Sequence, residues 1–202
     1  MKLSEGAKLI LASASPRRRE LMTAAGYRFE VRPADVAEEL PEECDEPERE
    51  TERLAEAKAL AVAEKTKEAG RWVLGADTIV VLGRRLIGKP RDDEDAAAIL
   101  RSLSGSNHAV ITGVALIESG SLRRLVRSAV TRIKMRVIPE EEIRRYIAAG
   151  GSRGKAGAYG LQEGGDRYVE RLGGSASNVV GLPMELVSEM LEEVGFRAGQ
   201  GK

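Results

Sequence analysis

Cysteine and aromatic residues are scarce in this sequence. Cys44 is the single cysteine, so the chain cannot form an internal disulfide, which fits a reducing cytoplasm. Aromatic side chains make up 3% of the residues, which leaves no stripe on which successive nucleic-acid bases could stack. Both shortages favour a cytoplasmic protein that does not bind nucleic acid.

Net charge and long apolar runs are absent as well. The 32 Lys and Arg residues balance the 32 Asp and Glu residues, whereas affinity for nucleic acid or for an anionic membrane rests on a basic excess. No apolar stretch approaches the roughly 20 residues of a membrane-spanning helix, and the first residues lack a signal-peptide profile. We therefore expect one cytoplasmic domain over residues 1–202, with no nucleic-acid or membrane partner.

The stretch Leu9–Met22 carries a specific local signal. It begins with a short apolar run typical of a buried strand, and Ser15 and Pro16 then start a helix as N-cap and first helical residue. Arg17 and Arg18 fall in the first turn, beside the free N–H groups and the positive end of the helix dipole. Because cations are disfavoured there, a bound phosphate would stabilise this turn. A solvated basic turn is the alternative.

A carboxylate interrupts an apolar strand expected over Trp72–Leu82. An ionised Asp77 in such a run is costly unless it is paired, hydrogen-bonded or bound to a metal. The alternative is an Asp–Thr pair that caps a bulge. Lys89 follows, held between a glycine and a proline in a way that suits a phosphate contact. Lys58 lies on an alanine-rich helix expected over Pro47–Ala69, where a lysine is by default exposed.

The rest of the chain alternates between helix and strand signals. Acids in the first turn and a following glycine predict a helix over Asp92–Leu103. A strand is expected over Leu122–Val137, and the alternation of basic and apolar residues from Arg132 to Val137 predicts that it is antiparallel, with Val137 on its apolar face. The tail from Arg197 to Lys202 is expected to fray. The other expected elements are strands at Tyr27–Val31, His108–Ile117 and Arg167–Leu172, and helices from Pro139 and Pro183.

A glycine-rich loop runs over Gly150–Gln162 and invites comparison with the P-loop of nucleotide-binding proteins. Two residues argue against that motif. Ala149 stands where the first glycine of G-x-x-x-x-G-K belongs, and Ala156 replaces the Ser or Thr that binds magnesium. The loop therefore needs another explanation.

Segments spread along the chain resemble the Maf family of nucleoside triphosphate pyrophosphatases. The similarity runs from Leu9 to about Gly195, and together the segments are far more specific than any one of them. The chain departs from the family at two places: only Glu38 remains of a frequent D-x-D-E pattern, and Glu163 replaces a glycine. The matching segments are LASASPRRREL, RLAEAKA, GADTIVVL, GKP, HAVITGV, GKAGAYGLQ and NVVGLP.

The resemblance implies an α/β fold in which a mixed twisted sheet with flanking helices forms two lobes around a deep cleft, as in inosine-triphosphatase-like proteins. It also implies hydrolysis of a nucleoside triphosphate to the monophosphate and pyrophosphate. That reaction needs cations around the phosphates, a divalent metal and a carboxylate. Asp77 is the expected base and, with Glu38, a ligand of Mg²⁺. The other expected catalytic residues are Lys58 and Lys89, and the expected substrate-binding residues are Ser13, Arg17, Arg18, Thr78 and Gln162.

The family resemblance leaves a choice between two substrate classes. One branch looks specific for dTTP and UTP and tends to carry the residue types found here at Arg17, Thr78 and Gln162. The sister branch looks specific for 7-methyl-GTP and tends to carry an aromatic residue, Gln and Glu there. All three positions favour the first branch, and an amide can pair with the edge of uracil or thymine. A non-catalytic, nucleotide-binding regulator of cell division is the remaining alternative, and a homodimer is left open.

Overall fold

The computed structural model describes residues 9–198, apart from the side chain of Glu163. Of the tail that is expected to fray, Arg197–Lys202, the residues from position 199 onward lie outside the described part of the chain. The helices are α1 (Pro16–Ala24), α2 (Pro47–Ala63), α3 (Asp93–Leu103), α4 (Glu140–Ala148), α5 (Ala176–Val180) and α6 (Met184–Glu193). The strands are β1 (Leu9–Leu11), β2 (Phe29–Val31), β3 (Trp72–Leu82), β4 (Arg85–Ile87), β5 (Asn107–Glu118), β6 (Arg124–Met135) and β7 (Val169–Gly173).

The strands form one mixed sheet in the order β2-β1-β3-β5-β6-β7, with β4 added beside β3. β1 pairs parallel with both β2 and β3, while β3, β5, β6 and β7 pair antiparallel. The three long central strands are mostly apolar where they are covered by helices. Within the part of the chain that the structure describes, no helix has the length and apolar character needed to cross a membrane.

One face of the sheet is covered by α2 at unusually close range. A Cβ atom at Gly75 would lie 2.3 Å from the backbone oxygen of Ala55, and one at Gly113 would lie 2.2 Å from that of Thr51. Only glycine permits this approach without displacing the helix backbone. The two glycines thereby allow α2 to bring Lys58 down onto β3.

The opposite face carries two separate apolar clusters. One packs α1 and α6 against the first half of β3, around Trp72 and Leu74. The other packs α3 and α4 against the second half, around Val80. These clusters are the cores of the two expected lobes, and the long strands β3 and β5 run through both.

The sheet has a gap at one edge of β3, between the two lobes. On this edge of β3, β1 pairs with Trp72–Leu74 and β4 pairs with Val80–Leu82. Among the described residues, the segment Gly75–Ile79 has no strand partner on this edge. Adjacent residues of a strand point to opposite faces, so the side chains of Asp77 and Thr78 leave this gap in opposite directions.

Two expected elements, α2 and β6, differ clearly in their ends. α2 stops at Ala63 rather than Ala69, because a turn forms in which the Thr66 backbone N–H donates to the Ala63 oxygen and the Thr66 hydroxyl donates to the Val62 oxygen. β6 covers Arg124–Met135, and a register shift at its end leaves Val137 75% exposed instead of on the apolar face. The short helix α5, which overlaps the start of the NVVGLP segment, was not expected.

Candidate active site

The gap in the sheet opens into a cleft of about 590 Å³ between the two lobes. The loop after β1, the start of α1, the middle of β3 and the glycine-rich loop supply its walls. All of the site residues expected from the sequence line it. They are Ser13, Arg17, Arg18, Glu38, Lys58, Asp77, Thr78, Lys89 and Gln162.

Four charged side chains form a compact cluster on the α2 side of the gap, called here the carboxylate–lysine cluster: Asp77, Lys58, Glu38 and Lys89. The Lys58 ammonium donates to Asp77 Oδ1 and to Glu38 Oε1, each at 2.5 Å. Lys89 Nζ donates to Glu38 Oε2 at 2.9 Å. Lys58 is thus buried and paired rather than exposed, because α2 lies so close to β3.

The loop that carries Glu38 is fixed against β4. The Cys44 backbone N–H donates to the Arg84 oxygen, and the Leu86 N–H donates to the Glu42 oxygen. Burial acts to raise the pKa of Glu38, but the hydrogen bonds from Lys58 and Lys89 outweigh it and hold the pKa at about 2. Glu38 is therefore ionised at neutral pH.

Arg18 connects the walls of the cleft through hydrogen bonds. Its Nε donates to the Gly181 oxygen and its Nη1 to the Ala76 oxygen, both at 2.8 Å. The guanidinium also donates to Ser13 Oγ at 3.2 Å and to Thr78 Oγ1 at 3.1 Å. Most N–H groups of the guanidinium donate to other parts of the protein. Arg18 therefore has a structural role, which was not predicted when it was expected only to contact phosphate.

Thr78 points to the face opposite Asp77 and belongs to a hydroxyl network. Its Oγ1 lies 2.9 Å from Thr112 Oγ1 and 3.3 Å from the Gly181 oxygen, besides the contact with Arg18. These partners fix the hydroxyl at the floor of the cleft. Thr78 therefore also orients Arg18.

Two expected substrate residues lie at the mouth of the cleft. Arg17 Nη2 donates to the Gly154 oxygen at 2.8 Å, which links α1 to the glycine-rich loop across the opening. Gln162 is exposed at the rim, in the helical turn Leu161–Gly165. The side chain of Glu163 lies outside the described part of the chain.

The sequence reasoning did not assign a role to three further residues of this region. Tyr159 lines the cleft, and its hydroxyl lies 2.7 Å from Nε2 of the buried His108. Burial lowers the pKa of His108 to about 4 and raises that of Tyr159. Lys155 also lines the cleft and donates to the Gly151 oxygen at 2.6 Å. The two-residue period of β5 places His108 on the same face as Thr112, which was a usable signal.

The carboxylates available for a metal are few. Across residues 9–198, no group of three or more His, Cys, Asp or Glu side chains is arranged to hold a metal ion. Asp77 Oδ1 and Glu38 Oε1 both lie 2.5 Å from one atom, Lys58 Nζ, so these two oxygens are at most about 5 Å apart. Two carboxylates with room for phosphate and water oxygens suit Mg²⁺, which rarely has an all-protein shell.

Most of the chain matches a known protein family. The family model described as Maf-like protein matches residues 8–194. A protein of Geobacter sulfurreducens named dTTP/UTP pyrophosphatase is 45% identical over 95% of this chain and 98% of its own. One of the same name from Desulfitobacterium hafniense is 46% identical over 98% of this chain and 90% of its own.

A solved structure supports the fold. A HAM1 protein from Coxiella burnetii superposes with a TM-score of 0.55 at 16% identity and covers 92% of this chain and 98% of its own. That likeness confirms the mixed α/β fold expected from the sequence. The family match and the relatives that are similar over almost their full length show that the chain belongs to the Maf family.

Proposed function

We propose that this protein hydrolyses dTTP and UTP to the nucleoside monophosphate and pyrophosphate in the presence of Mg²⁺, which would clear these nucleotides from the cellular pool. The observation that carries the proposal is the carboxylate–lysine cluster at the edge of a cleft large enough for a nucleotide. The relatives from Geobacter sulfurreducens and Desulfitobacterium hafniense, named dTTP/UTP pyrophosphatase, support the same reaction and the same two substrates.

The carboxylate–lysine cluster supplies a general base and two positive charges for the reaction. Asp77 accepts the proton of the attacking water, since it is a carboxylate that lines the cleft and is held in place by Lys58. The water oxygen forms a bond to the α-phosphorus while the bond between that phosphorus and the oxygen that bridges to the β-phosphate breaks, and the leaving pyrophosphate takes the electron pair of the broken bond. Lys58 and Lys89 stabilise the negative charge that moves onto the phosphates. Ser13 and Arg17 bind phosphate oxygens near the start of α1.

Asp77 and Glu38 would hold the Mg²⁺ ion, and phosphate and water oxygens would complete its shell. The donor set fits, since both ligands are oxygen atoms and lie close together. When bound, the ion would act as a Lewis acid and neutralise negative charge on the phosphate oxygens.

The pyrimidine ring of the nucleotide would lie on the other side of the gap, over the sheet face that carries Thr78. Val80, Val110 and Tyr159 line this part of the cleft, and Gln162 is at its rim. An apolar pocket with one amide can accept a single pyrimidine ring and pair with its edge. One methyl group is worth only about 1–3 kcal/mol in such a pocket, so discrimination between uracil and thymine is weak.

The test is a comparison of kcat/KM for UTP, dTTP, CTP, GTP and 7-methyl-GTP, on the wild type and on Gln162→Glu. We expect UTP and dTTP to be preferred and the variant to lose that preference, because a carboxylate has no proton to donate to a uracil carbonyl. Asn107→Asp is the matched control, since it adds the same charge at an exposed site away from the cleft lining. A wild type that prefers 7-methyl-GTP would place the protein in the sister branch, and nucleotide binding without pyrophosphate release would favour a regulator.

The proposed compartment and partners rest on the cysteine content and the charge of the chain. A reducing cytoplasm suits the single cysteine, which is free. The nucleoside triphosphate is the proposed partner, and the balanced charge of the chain does not favour nucleic acid or an anionic membrane. Measurement of the molecular mass in solution would distinguish a monomer from a homodimer.

A further inference from the structure

Lys58 occupies the position between the two carboxylates that are proposed to hold the metal. Its ammonium contacts Asp77 and Glu38 at 2.5 Å each, and its side chain is 8% exposed. A buried ammonium that bridges two carboxylates neutralises them in the way that a shared cation would. The position is therefore already filled by a positive charge that belongs to the protein.

The charges of the cluster sum to zero before any ligand binds. The two carboxylates, Asp77 and Glu38, are balanced by the two ammonium groups of Lys58 and Lys89. Arg18 lies close by: burial lowers its pKa, while Asp77 and Glu38 act to raise it, so its positive charge is felt at the same carboxylates. A divalent cation that arrives alone finds no excess negative charge to bind.

A nucleoside triphosphate changes this balance. Its phosphates add several negative charges and offer the Lys58 ammonium other oxygen acceptors, and the long lysine side chain can follow them because it is flexible. The carboxylate oxygens then become available to a cation that the phosphates also bind.

We infer that Lys58 is an internal counter-ion that competes with the divalent metal for Asp77 and Glu38, so that the metal binds together with the nucleotide rather than before it. This inference rests on the proposed function, since it concerns the same site. Reciprocity of binding free energies requires that the nucleotide strengthens metal binding by the same factor by which the metal strengthens nucleotide binding.

The test measures Mn²⁺ binding by the disappearance of the electron paramagnetic resonance signal of free Mn²⁺, with the full chain and no nucleotide. We expect Lys58→Met to bind Mn²⁺ at least tenfold more tightly than the wild type, because the competing charge is gone while both carboxylates remain. Lys58→Arg, which keeps the charge, should show no such gain. The matched control is Lys67→Met, which removes an exposed lysine outside the cleft lining.

A folded Lys58→Met protein with unchanged or weaker Mn²⁺ affinity would overturn the inference. If that variant does not fold, the wild type decides: with a non-hydrolysable α,β-imido analogue of dTTP, Mn²⁺ should bind at least tenfold more tightly than it binds to the protein alone or to the analogue alone. Equally tight binding without the analogue contradicts the inference. Pyrophosphate release from dTTP, measured on the same wild-type sample, tests the proposed function separately. If no pyrophosphate is released, the proposed function is wrong, and the Mn²⁺ affinities still test whether Lys58 competes with the metal.

Discussion

Replacement of Asp77 by asparagine removes the proposed base and one proposed metal ligand, and it should change the fold little. The side chain keeps its size, and its amide oxygen can still accept from Lys58. The pairing of Asp77 with Gly113 in the sheet does not involve the side chain. Glu38 continues to neutralise Lys58, so we expect the free energy of unfolding to fall by only about 1–3 kcal/mol, the range for one altered buried hydrogen bond.

The effect of Asp77→Asn on turnover is expected to be far larger than its effect on stability. Loss of a general base costs about 10²–10⁴-fold in rate, and loss of a metal ligand adds to that. The assay follows pyrophosphate release from dTTP with Mg²⁺, and circular dichroism checks the fold. Asp93→Asn, at an exposed position in the first turn of α3, is the matched control. A folded Asp77→Asn protein within tenfold of wild-type kcat would refute the assignment and move the base to Glu38.

Three further variants test separate parts of the structure. Glu38→Gln should lower kcat/KM and raise the Mg²⁺ concentration needed for half-maximal rate, whereas the exposed neighbour control Glu39→Gln should change neither; equal behaviour would exclude Glu38 from the site. Arg18→Ala should lose about 2–4 kcal/mol of stability in urea unfolding, because its hydrogen bonds hold the cleft walls, and Arg19→Ala, which is exposed, should lose almost none; similar losses for both would deny Arg18 its structural role. His108 stays neutral in the fold with a pKa of about 4 against an ordinary 6.5, so stability should fall by about 3 kcal/mol as the pH drops from 6.5 to 4, where only the unfolded chain takes up the proton. His108→Gln should lack this slope, and an unchanged slope would assign it to other groups.

Strong local signals in the sequence predicted two features of the cleft, whereas most of the other expected site residues came from the family resemblance. An acid in an apolar strand had to be paired, and Asp77 is paired. The N-cap at Ser15 and the proline after it fixed the start of α1, and the structure confirms both.

Long-range geometry was not predictable in the same way. Lys58 resembled any exposed lysine on a helix, since its burial depends on how closely α2 approaches Gly75 and Gly113. The partners of Arg18 come from Ala76 and Gly181, which are far apart in sequence. Local patterns carry no information about such distances, and only the assembled sheet and its gap supply it.

The most direct test of the central claim is the identity of the products. Incubation of dTTP with the wild type and Mg²⁺ should yield one dTMP and one pyrophosphate per nucleotide consumed, and Asp77→Asn should yield almost none of either. The formation of dTDP and orthophosphate, or the absence of any product from a folded protein, would contradict the account.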